Sequence, residues 1–210
     1  MSFRNLIRTS LRKAPSQSRA QETVEAVLQA TTRILKRDGN EKLNTNRIAE
    51  VAGISIGSLY QYFPGKEAIL AMLVRRHLES KFAIVDRQLS KNPQAKIETV
   101  IHEIIDALVV SKGENSRFEQ ILEEQIPKLG ALKAMKQLDD IMVSKIVAYL
   151  SPYKDEIRME NLDRSVFLII MAVKGVLLGT NLERPELFRG SNRAGLVGEL
   201  NHMVLSYLRA

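Results

Sequence analysis

Apolar residues recur along this chain at three- and four-residue spacing, in segments parted by glycine- and proline-containing breaks. That is the pattern of successive amphipathic helices. Over 21–37, Val24, Val27, Leu28, Ile34 and Leu35 share one helical face with small Thr31 between them, and Asp38-Gly39-Asn40 supplies a glycine stop. Asn44 caps a short second helix, in which Ile48, Ala49 and Ala52 lie on one side, and Gly53 ends it. Ser55 caps a third, running to Phe63 with Leu59 and Phe63 inward. After Pro64-Gly65 a fourth opens at Lys66, buries Ile69, Leu70, Leu73, Val74 and Leu78, and runs to Leu89.

The rest of the chain predicts helices over 94–111, 116–125, 131–150, 161–182 and 193–208. The breaks fall at Lys91-Asn92-Pro93, Lys112-Gly113-Glu114, Pro127, Ser151-Pro152 and Pro185 through Gly190. No segment sustains the alternation of a strand and no long repeat recurs, so the expected fold class is all-α.

Composition narrows the setting. With 45% hydrophobic and 26% charged residues, the 210-residue chain matches a soluble globular protein. The most apolar run, 166–178, is interrupted by Lys174 and falls short of the roughly 20 residues that span a bilayer, so no membrane partner is expected. The absence of cysteine excludes disulfides, thiolate metal sites and cysteine nucleophiles, and fits a reducing compartment, with cytoplasm the expectation. Net charge is +7, but residues 1–66 hold 11 Lys and Arg against 5 Asp and Glu, whereas the remainder holds 20 against 19. The basic third is the one expected to face a polyanion. Arg4, Arg8, Arg12 and Lys13 in an acid-free start make residues 1–18 a basic, flexible or partly helical arm.

A helix-turn-helix requires a small residue in its first helix, a residue tolerant of left-handed geometry in the turn and an apolar residue in the second helix. Ala49, Gly53 and Leu59 meet those demands at offsets of four and six. The surrounding string 44–70, NTNRIAEVAGISIGSLYQYFPGKEAIL, resembles the DNA-binding domain of the TetR family of bacterial regulators, including its S-x-G-x-L-Y-x-Y-F-x-x-K-E core. The likeness spans residues 18–75. It implies a DNA-binding domain over 19–66, and a helical effector-binding and dimerisation domain over 67–210. It also implies a sequence-specific regulator, not an enzyme: a homodimeric repressor released from a palindromic operator when a small molecule binds its C-terminal domain. In the alternative, that domain binds a protein partner.

The residues have physical readings of their own. Thr45 and Arg47 lie in the first turn of the second helix, where a hydroxyl, free amides and a guanidinium meet phosphate. Gly57 lowers the leading edge of the recognition helix. Ile56 suits a thymine methyl, Ser58 a base edge or phosphate, and Gln61 adenine. Ser55, the cap, is counted with this surface. The resemblance gives Tyr60 and Tyr62 to phosphate, and Lys66 adds charge.

In the C-terminal part the resemblance implies dimerisation through the last two helices, here by Val166, Ile170, Val173, Gly175 and Leu177 with Leu196, Leu200, Val204 and Leu208. An effector cavity is expected among Phe82, Ile105, Leu108, Val109, Phe118, Leu122, Met135, Met142, Ile146, Phe167 and Met171. No cofactor or metal is expected. His77, His102 and His202 are dispersed; His102 and Asp106 have a metal-compatible spacing that more often means a solvated or ion-paired couple. Neither a phosphate-binding loop nor a G-x-S-x-G elbow is present.

Overall fold

The computed structural model describes residues 18–91 and 95–209, so the basic arm lies outside the described residues apart from Ser18. These residues form α1 (Ser18–Asp38), α2 (Thr45–Ala52), α3 (Ile56–Tyr62), α4 (Lys66–Lys91), α5 (Ile97–Lys128), α6 (Leu132–Leu150), α7 (Leu162–Glu183) and α8 (Gly190–Arg209). Short 3₁₀ turns at Ser151–Glu156 and Pro185–Phe188 occupy two of the expected breaks. No strand occurs among the described residues. The fold is all-α, with an N-terminal helix-turn-helix.

The caps explain the helix limits. The Asn44 side chain accepts a hydrogen bond from the Arg47 amide at 2.9 Å, and Ser55 Oγ accepts one from the Ser58 amide at 3.0 Å. Both satisfy amides that a helix start leaves without internal partners. Gly53 closes α2 in left-handed geometry at φ 69°, with its own amide donating to Glu50 and that of Ile54 to Ala49. This paired closure requires a residue tolerant of positive φ, which glycine supplies.

Residues 94–111 and 116–125, expected as two helices, are corrected to the single α5. Lys112-Gly113-Glu114 does not break it, because Gly113 serves packing. A Cβ built there would stand 3.0 Å from the Phe188 carbonyl oxygen and 3.1 Å from Phe188 Cβ, so the bare Cα lets that buried turn pack closely, and a side chain would require it to give by a few tenths of an ångström. Pro127 does not end α5 either. The helix runs to Lys128 and closes at Gly130, φ 66°, with Gly130 donating to Pro127 and Ala131 to Ile126.

The chain packs as two compact units. The first comprises residues up to Leu78 together with Arg117–Met135, and therefore extends beyond the 66/67 division drawn from sequence. Its core joins Leu28, Ile34 and Leu35 of α1, Ile48 of α2, Leu59 of α3, Phe63, and Ile69 and Val74 of α4, all essentially without solvent exposure, to Leu122 and Ile126 of α5. The second unit comprises Glu79–Ser116 and Lys136–Ala210. Its interior includes Phe82, Ile105, Val109, Met142, Val166, Ile170, Val173, Leu200 and Val204. Tyr149 and Tyr153 both donate to the Ala95 carbonyl, at 2.9 and 3.0 Å. Burial, with Tyr153 beside it, pushes the Tyr149 hydroxyl up to about 12.

Gly113→Val is expected to lower the stability of the second unit by about 1–3 kcal/mol through overpacking against Phe188. Gly113→Ala loses less, because roughly 1 kcal/mol of helix propensity offsets part of the clash. Urea unfolding of both variants measures the difference.

Candidate nucleic-acid interface

The candidate surface is built by two short stretches, the first turn of α2 and residues 55–61, that the first unit's core holds in place. α3 buries Leu59 completely, and Phe63 just beyond it, which turns Ile56, Gly57, Tyr60 and Gln61 outward. Ile56 is 38% and Tyr60 40% exposed, so two large apolar bodies stand in solvent at the outer face of a seven-residue helix. Thr45 Oγ1 lies 3.1 Å from the Tyr60 hydroxyl and ties the first turn of α2 to the body of α3. The two hydroxyls hydrogen-bond on an exposed surface, a short distance from the free amides at the start of α2.

Gly57 has no internal justification. An added Cβ would meet only Ser55 Oγ, at an ordinary 3.8 Å. Glycine inside a helix costs about 1 kcal/mol relative to alanine, so the internal packing of the fold does not account for its place here.

Other residues expected on this surface are drawn inward. The Arg47 guanidinium contacts Asp38 at 2.7 Å, and Asp38 also receives Arg37 Nε at 3.0 Å. Arg47 thus pins the end of α1 to the start of α2, with its side chain 30% exposed. Burial pushes the Asp38 carboxyl up, but the hydrogen bond from Arg37 and the charges of Arg37, Arg47 and Lys42 outweigh it and hold the group below the usual carboxylate range. Lys66 Nζ donates to the Leu43 carbonyl at 3.5 Å and is half-buried. Ser58 Oγ shares a 2.8 Å hydrogen bond with Ser55 Oγ. Tyr62 packs against the core. The outward set is therefore Thr45, Ser55, Ile56, Gly57, Tyr60 and Gln61.

Two family models cover most of this architecture. One for bacterial regulatory proteins of the tetR family matches residues 27–73, and one for the tetracyclin repressor-like C-terminal domain matches residues 97–208. This chain belongs to the TetR family of transcriptional regulators.

Members are DNA-binding regulators, and this TetR-family protein is not an enzyme. It is 22% identical over 198 residues to the transcriptional repressor KstR of Rhodococcus jostii, covering 81% of this chain and 90% of KstR. Its fold is similar to that of a TetR-family regulator of Mesorhizobium loti, at TM-score 0.70 and 16% identity over 91% of this chain and 98% of that one. It is also similar to SmeT, solved as a complex with triclosan, at TM-score 0.63 and 18% identity over 86% and 90% of the two chains.

The structure redistributes the C-terminal site residues. Of those expected at the dimer interface, Val166, Ile170, Val173, Leu177, Leu200, Val204 and Leu208 are buried inside the second unit, and Leu196 is half-buried. The face of α7 left to solvent instead carries Leu168, Ala172, Gly175, Gly179 and Leu182, spaced four, three, four and three apart, with Gly179 half-buried. Gly195 and Gly198 are among the small exposed positions of α8, with Ala194 and Ser206. Only Gly175 of the expected set lies on this outer face. By length and composition alone, α7 is long and apolar enough to cross a bilayer, despite the interruption at Lys174 from which no span was expected; 33% of its most apolar stretch is buried in the protein.

Among the expected effector residues, Phe82, Ile105, Val109 and Met142 are buried, and Leu108, Ile146 and Met171 half-buried, in the second unit. Leu122 belongs instead to the core of the first unit, against which Phe118 and Met135 pack. Phe167 is 42% exposed, on the outer side of α7. These four are not among the residues buried in the second unit. His102 and Asp106 do not converge on one site, since His102 Nδ1 bonds Asn201 Nδ2 at 3.1 Å and Asp106 faces Arg193 at 3.9 Å.

Ser55→Ala is expected to cost about 1 kcal/mol of first-unit stability, and Ser55→Asp to restore most of it, in urea unfolding. Because the Asp38 carboxyl is depressed on folding, its contribution is complete above the unfolded value, about pH 4, and is lost as pH falls through the lower folded value. Asp38→Asn should remove that part of the acid sensitivity, read as a smaller drop in urea midpoint on going from pH 7 to pH 3.

Proposed function

We propose that this protein is a dimeric, cytoplasmic repressor whose two recognition helices read a palindromic operator, and which leaves that operator when a small molecule enters its second unit. The observation that carries the DNA-facing half is the outward set on α2 and α3, locked by the Thr45–Tyr60 hydrogen bond. Tyr60 and Thr45 offer hydroxyls to phosphate, Ile56 an apolar contact for a thymine methyl, and Gln61 a donor and acceptor pair for adenine. Arg47 and Lys66 contribute charge from the margins, and Ser58 and Tyr62 support the helix from within.

The unpartnered face of α7 supports the dimer. A helix buried on one side by its own chain, with Leu168, Ala172, Gly175, Gly179 and Leu182 in a four-three repeat on the other, suits close packing against a second copy. Two-fold pairing places two recognition helices on half-sites about one helical turn apart. Effector binding is supported by the apolar interior of the second unit and by the triclosan complex of the similar SmeT. Binding energy specific to one arrangement of the dimer shifts the population away from the operator-competent spacing.

Binding selection should recover an inverted repeat. On it, Tyr60→Phe is expected to weaken binding to all sequences by about threefold to tenfold. Gln61→Ala should relax preference at one base pair in each half-site by about 1–3 kcal/mol; equal losses on every sequence would remove its base-reading role. Gly179→Arg should yield a folded monomer by light scattering with operator affinity reduced at least a hundredfold, and a variant that stays dimeric would refute this face. A small apolar effector should lower operator affinity of the wild type, and protein-only control of release would count against the metabolite reading.

A further inference from the structure

His77, Glu119 and Glu123 take no part in the DNA-facing surface, and the structure brings them together inside the first unit. Glu119 and Glu123 stand four residues apart on α5 and so share a helical face; His77 is on α4. One ligand-capable atom from each lies within 4.8 Å of the other two, and His77 Nε2 is 3.9 Å from a Glu123 carboxylate oxygen. The place is partly shielded from water, with the Glu123 side chain 26% exposed. The His77 side chain is 8% exposed and Glu119 4%, and one carboxylate oxygen of each glutamate has no solvent access.

An imidazole nitrogen and two carboxylates are a mixed donor set suited to zinc and neighbouring divalent transition metals. Two carboxylates beside an imidazole supply the negative charge and the nitrogen that a divalent ion of this class takes. Bonds of about 2.0–2.2 Å put tetrahedral donors roughly 3.4 Å apart, so the present spacing closes by small side-chain rotations. We propose that His77, Glu119 and Glu123 bind a divalent transition cation of the zinc class, with water completing its coordination. The ion clamps α4 to the C-terminal half of α5 within the unit that carries the recognition helix, and it stabilises that unit by binding the folded state alone. A protonated His77 paired with Glu123 is the competing arrangement, and it takes up no metal.

The full-length chain, stripped with EDTA and dialysed against Zn²⁺, is expected to retain one equivalent. Its melting midpoint should rise by about 5 °C or more at a hundredfold excess over Kd. Co²⁺ in place of Zn²⁺ should develop visible bands of a low-coordinate nitrogen and oxygen site. His77→Gln should lose the bands and at least tenfold in affinity; should that variant fail to fold, the more exposed Glu123→Gln decides. The proposal is overturned if the wild type retains no zinc, if folded Glu123→Gln binds it as tightly as the wild type, or if the melting midpoint follows imidazole titration while ignoring zinc.

Discussion

The burial of Leu59 and Phe63 is the constraint on which the DNA-facing surface depends. A helix of seven residues cannot hold itself together in water, since nucleation costs more than so few hydrogen bonds return. α3 exists because one side of it fills the space between α1, α2 and α4, and because Ser55 satisfies a first-turn amide. Helical periodicity then dictates that Ile56, Gly57, Tyr60 and Gln61 face away from that core. The apolar packing sets the direction in which the polar chemistry points. The Thr45–Tyr60 and Arg47–Asp38 contacts refine this orientation without creating it.

The head was legible in the sequence because its information is local. Asn44, Gly53 and Ser55 specify helix ends through bonds to residues within five positions, and a reader of the chain can check each of them. What failed depends on partners distant in sequence. Gly113 has the composition of a breaker, but its role follows from Phe188, 75 positions on, whose carbonyl oxygen would stand only 3.0 Å from a Cβ. Pro127 sits one residue before the end of α5, where the stop comes from Gly130. The His77, Glu119 and Glu123 group joins two helices and has no spacing signature along the chain.

The faces of α7 show a different limit. When apolar residues surround a helix, periodicity no longer says which side the chain itself will cover. Val166, Ile170, Val173 and Leu177 and the outer Leu168, Ala172, Gly175, Gly179 and Leu182 are both respectable stripes. Side-chain size does not separate them cleanly: the inner row is branched and bulky, as a close-packed core requires, but Phe167, Leu168, Val176, Leu178 and Leu182 are exposed beside Ala172 and Gly175. The same ambiguity placed Phe118, Leu122 and Met135 in an effector cavity although they serve the core of the first unit.

Gly57 separates two requirements that most surface positions combine. The fold neither needs nor resists a side chain there, since a Cβ would find only ordinary contact with Ser55. Side chains of different size can therefore be exchanged at the leading edge of α3 while the core beneath keeps its shape. At such a position, exchange of glycine for alanine leaves the capacity to fold intact.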